Sequence, residues 1–180
     1  MKYIIVYTIL FSLNTCLLAQ SIYKESRNKV GDIEYIYGVD NPDFKLLDEN
    51  KILPYNTQCG MLIEGEKYQV LEYFHKNTDF KFTEGLDGYV TIRFIVNYEG
   101  KTDRFRVYEM DNNYKSCYFP REITDRLLLL TKELRGWKTQ VNRGLEQAKE
   151  EIKNDKKSLC DYYQYILFKI KDGLLEAILP

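Results

Sequence analysis

GYVTIRFIVNYEGKTDRFRVYEM, residues 88–110, carries the clearest strand pattern in the chain and a legible turn. Val90, Ile92, Phe94 and Val96 fall on one side of an extended backbone and Tyr89, Thr91 and Arg93 on the other, the period-two signature of a half-buried strand. Asn97-Tyr98-Glu99-Gly100 follows as a turn in which Gly100 is free to take a positive φ. The return run, Thr102 to Met110, offers Phe105 and Val107 to the same buried side. The stretch predicts an antiparallel hairpin.

Outward from the hairpin, period and punctuation change. Glu66 to Lys76 has Tyr68, Leu71, Phe74 and His75 at helical spacing and stops at Asn77. The lone histidine, His75, has no Cys or His at ligand spacing, so a packed or partly exposed imidazole is expected there, not a metal ligand. Beyond the hairpin, Asp111-Asn112-Asn113 suggests a calcium loop. Glu122 stands at its twelfth position, but the sixth holds Ser116 where the loop needs glycine, and the segment reads as a solvated turn.

Pro120 opens a second helix whose stripe of Ile123, Leu127, Leu130 and Leu134, widened by Leu128 and Leu129, ends at Arg135-Gly136. That helix is the natural cover for the hairpin's apolar face, and Trp137 behind it reads as a packing plug. Residues 143–157 mix lysines and acids with few apolar residues, as in a solvated helical excursion or loop. Tyr162 to Ile170 is a third strand. Tyr162, Gln164, Ile166, Phe168 and Ile170 share one face, and Tyr163, Tyr165, Leu167 and Lys169 the other. Asp172-Gly173 is a two-residue hairpin signal, after which Leu174 to Leu179 can return as a short strand.

The beginning of the chain reads differently. Lys2, an apolar run from Tyr3 to Leu18 and Ala19-Gln20 describe a secretory signal peptide, residues 1–19. An uncleaved anchor is one alternative, but the run is short for a span of roughly 20 residues; a lipid-modified Cys16 is another, but Leu13-Asn14-Thr15 before it has bulky polar residues where such signals prefer small ones. Residues 20–65 read as an irregular N-terminal arm. Asp32 to Tyr37 is a candidate short strand in it, and Ile52-Leu53 and Met61-Leu62-Ile63 are short apolar runs. Of 26 basic and 27 acidic residues, only Lys2 lies in the first 19, so the mature charge is −2 and implies neither nucleic acid nor an anionic membrane as partner. Cys59, Cys117 and Cys160 remain, an odd number, so at most one intramolecular pair can close. No nucleophile elbow, phosphate loop or metal-ligand spacing is present, and no catalytic residue, metal or cofactor is expected.

Helix, strand, strand, long helix, Trp137 and strand, in that order over residues 66–170, resemble the C-terminal domain of the TonB family in its divergent exported form. The matching marks are Gly88 with the alternating strand after it, Asn97 and Gly100 in the turn, the helix ending before Trp137, and Tyr165 to Ile170. The resemblance implies residues 66–180 as an α+β domain: a three- to four-stranded antiparallel sheet with two helices on one face, behind the N-terminal arm. It implies a non-enzymatic, exported module that binds an envelope protein or peptide by strand addition along Tyr162–Ile170. Tyr163, Tyr165, Leu167 and Lys169, on the face away from the helices, are then the candidate partner contacts. The chain departs from the family's energy transducers in lacking a proline-rich spacer, having four prolines in all. It also lacks the tyrosine-proline element before the first strand, and Leu174 to Leu179 can cover the edge a peptide would use. A structural envelope protein and, further off, an enzyme are the competing expectations.

Overall fold

The hairpin closes as β1 (Gly88–Val96) and β2 (Thr102–Met110), with Tyr89 opposite Met110 and Val96 opposite Thr102. It belongs to a computed structural model in which residues 33–55, 61–78, 85–141 and 159–179 are described. The expected signal peptide, Cys59 and the expected charged excursion at residues 143–157 lie outside the described residues. Around the hairpin stand α1 (Glu66–Asn77), α2 (Arg121–Glu133), the two-residue strands β3 (Gln140–Val141) and β4 (Leu159–Cys160), then β5 (Tyr162–Lys171) and β6 (Leu174–Leu179). β2, β1, β5 and β6 are neighbours in that order in one antiparallel sheet, and β3 pairs with β4. The fold class is α+β, with four strands in the main sheet.

The period-two pattern decides which side of the sheet becomes the core. Val90, Ile92, Phe94 and Val96 of β1, Phe105 and Val107 of β2, Ile166, Phe168 and Ile170 of β5 and Ile178 of β6 are all buried in one cluster. α1 adds Val70 and Phe74, and α2 adds Ile123, Leu127, Leu128 and Leu130, so both helices cover the same face. Phe74 meets Phe168 edge-on at 4.8 Å between ring centroids, and Trp137 meets Phe94 edge-on at 5.1 Å. Such edge contacts suit the quadrupoles of the rings. Each fully buried Ile, Leu or Phe contributes roughly 1.5–3 kcal/mol of transfer free energy, so this cluster is what holds the helices down.

The turns of both hairpins depend on backbone that ordinary residues avoid. Gly100 sits at φ +75°, and a Cβ there would lie 2.5 Å from the Trp137 carbonyl oxygen, so the hairpin turn and the plug pack backbone to backbone. Asp172 and Gly173 both have positive φ, 48° and 69°, the primed geometry that matches strand twist.

Some expected details differ. Tyr68 is exposed and the buried stripe of α1 is Val70 and Phe74, because the helix is rotated to bring Phe74 over β5. Leu129 is also exposed, at the outer rim of α2. Ile33 to Ile36 does not pair as a strand, and the chain turns at Tyr37–Val39 with the Val39 and Asp40 N–H groups donating to the Ile36 carbonyl. Leu53 and Ile63 each form a single bridge, to Tyr162 and Trp137 respectively.

Candidate functional site

β5 alternates as its sequence demands. Tyr162, Gln164, Ile166, Phe168 and Ile170 are buried toward the helices, while Tyr163, Tyr165, Leu167 and Lys169 are half-buried on the opposite, outer face. Register extends that face across the sheet. Tyr108, Thr91, Leu167 and Leu179 form one row, Met110, Tyr89, Lys169 and Ala177 the next, and Arg106, Arg93 and Tyr165 a third. All four predicted contact residues therefore lie on one surface, together with neighbours that sequence reading did not single out.

Aromatic pairs furnish it. Tyr55 of the arm lies against Tyr165 with centroids 4.4 Å apart, and its burial, with Tyr165 beside it, pushes its pKa up to about 12. Tyr89 and Tyr114 stack at 5.5 Å, and the Arg93 guanidinium sits 4.3 Å from the Tyr108 ring. Lys169 donates to Glu176 at 2.7 Å, which raises the lysine's pKa and lowers the glutamate's. Its charge is thus largely cancelled, and this part of the face is chiefly apolar and aromatic: Leu167 and Tyr165 of β5, Leu179 of β6, Tyr89 of β1 and Tyr114 of the turn after β2.

The arm covers the other half, through charges that local pattern does not reveal. Arg106 points to the outer face and is wholly buried there by Asp40, whose two oxygens accept from Nη1 at 2.8 Å and Nη2 at 2.7 Å. Its remaining bonds run to the carbonyls of Phe105 and Glu34. Beside it Arg104, at a bulge with φ 58°, donates to both oxygens of Glu49. Asp161, just before β5, accepts from the Leu47 and Tyr98 N–H groups at 2.6 and 2.9 Å, tying arm, hairpin turn and third strand together. Sequence pattern does not reveal these pairings because each joins residues far apart in the chain; the hint is a basic residue on the outer phase of a strand.

The edge of β5 is occupied. β6 pairs with Leu167 to Lys171, while nearer the start of the strand Leu53 accepts from the Tyr163 N–H at 3.0 Å and donates to the Asp161 carbonyl at 2.8 Å. The outermost strands are β2 and β6, and both are bulged, at Arg104 and at Glu176. Bulges interrupt the row of backbone donors and acceptors that an added strand would read.

Other titratable groups have structural surroundings. Burial raises the pKa of Glu109, which accepts from the Phe119 N–H at 2.9 Å and faces Arg121 at 3.6 Å where α2 begins. Burial also raises the Cys117 thiol, which keeps it protonated and a poor nucleophile at neutral pH. Asp111 accepts from the N–H groups of Asn113 and Lys115, a turn closed on itself. No group of three or more His, Cys, Asp or Glu side chains placed to hold a metal occurs among the described residues, and no described helix is long and apolar enough to cross a membrane. No family model, no curated protein and no solved structure matches the chain.

Proposed function

We propose that this chain is an exported, non-catalytic binding module that docks a protein partner on the outer face of β5 and β6. The resemblance to the TonB C-terminal domain supplies the class of partner, an envelope protein or a segment of one. The occupied edge of β5 argues that contact is made through side chains on the face, not by strand addition as in that family. The observation that carries the reading is the row of Leu167 and Leu179 on β5 and β6 with Tyr89 and Tyr114 beside it, on a face the helices leave open and the arm reaches over β2 and, through Tyr55, at Tyr165 of β5. Flat apolar and aromatic surface of this kind marks interaction sites on soluble domains. The partner it fits is itself apolar, because Lys169 is neutralised by Glu176.

A photocrosslinker at position 179 tests this, with one at exposed Tyr68 on the far side of the molecule as control. Position 179 should capture a discrete protein from the native envelope that position 68 does not, and Leu167→Lys should abolish capture without altering the fold. Equal capture from both positions, or capture indifferent to Leu167→Lys, would reject the reading.

A further inference from the structure

Away from the outer face, a cleft of about 440 Å³ opens where the β1–β2 turn, the arm near Asp43, the end of α2 and Trp137 come together. Its size is that of a small-molecule site. Three cations, Lys101, Lys132 and Arg135, and one acid, Asp43, line it, with Phe44 and the edges of the buried Leu134 and Trp137 as apolar wall. Lys101 is engaged, 2.8 Å from Glu99. Lys132 rests over the Phe105 ring, its ammonium 5.5 Å from the centroid. Arg135 donates through Nη1 to the carbonyls of Lys132 and Leu134, which fixes the guanidinium against the helix end and leaves Nη2 and Nε for a ligand. Asp103, whose carboxylate feels the charge of Lys132, spends Oδ2 on the Asn41 N–H.

Capping alone would account for one cation at the end of α2. Two there, with a third from another element and a concave apolar wall between them, form a complementary setting for an anion carried on an apolar body. We propose that this cleft binds a small organic anion, a carboxylate or phosphate held by Lys132 and Arg135, with its apolar part against Leu134 and Trp137. The proposal is independent of the protein-docking face, since the cleft lies at the hairpin-turn end of the sheet and shares no residue with it.

Trp137 is the chain's one tryptophan, so its emission reports on this cleft without interference. The full chain is titrated with benzoate and, separately, with inorganic phosphate, at ionic strength held constant with chloride. A saturable change in Trp137 fluorescence is expected with at least one of them, and the arm that saturates identifies the headgroup. Lys132→Gln combined with Arg135→Gln, both exposed side chains whose loss spares the core, should weaken that binding by roughly tenfold or more. Lys169→Gln should leave it unchanged. The proposal is overturned if neither probe gives a saturable change, or if the double variant binds as the parent does.

Discussion

Arg106 and Asp40 face one another as a doubly hydrogen-bonded ion pair, 2.7 and 2.8 Å long, with side chains 1% and 2% exposed. Taking either partner away strands the other's charge in a dry site. Arg106→Met should therefore cost about 3–5 kcal/mol. Adding Asp40→Leu should recover part of that loss, the remainder reflecting the Ile36 N–H that Asp40 also satisfies. Urea unfolding midpoints of the three proteins check the order.

Asp161→Ala removes the acceptor shared by the Leu47 and Tyr98 N–H groups. Each donor left unsatisfied costs about 1–3 kcal/mol. Amide hydrogen exchange should speed up in residues 45–55 and in the 97–101 turn before it changes in β1. Uniform acceleration across the sheet would contradict a local tethering role.

Glu109 sets a pH dependence whose sign follows from its burial. Its pKa is raised in the folded protein above the ordinary 4.5, so as pH rises the unfolded chain loses this proton first. Stability then falls as pH rises from 4.5 through the raised value, and below that window the cost is absent. Glu109→Gln keeps an acceptor for the Phe119 N–H and should flatten the slope. Asp103, also raised by burial, slopes the same way and persists in both proteins. Thermal midpoints measured across that range give the comparison.

Gly88 enters β1 at φ +145°, and a Cβ there would sit 2.3 Å from the Met110 carbonyl oxygen. Gly88→Ala should lower stability by about 1–3 kcal/mol through backbone strain, and more if the first β1–β2 pair opens. An alanine variant as stable as the parent in chemical denaturation would show that this strand start is slack.

What the sequence makes legible is what repeats locally. The hairpin, α2 and β5 each bury the face their spacing assigns, and Asp172-Gly173 turns as that dipeptide should, because each signal lies within a few neighbouring residues. Tyr68 and Leu129 depart because a stripe wide enough for two rotations does not say which one the sheet selects; Phe74 over Phe168 makes the choice for α1. The arm was opaque for a different reason. Its order comes from single charges meeting partners 66 residues away for Asp40 and 114 for Leu47, and no periodicity encodes such meetings. The four outer-face residues of β5 were readable from alternation, whereas Tyr55 and Tyr114, which complete that surface, arrive from loops.

β6 follows β5 after only Asp172 and Gly173. A competitor tethered that closely is present at an effective concentration on the order of millimolar or above. A free peptide at micromolar level, making the same backbone contacts, would lose the contest for that edge a thousandfold or so on concentration alone. The chain in effect carries its own saturating competitor for strand addition along Leu167 to Lys171.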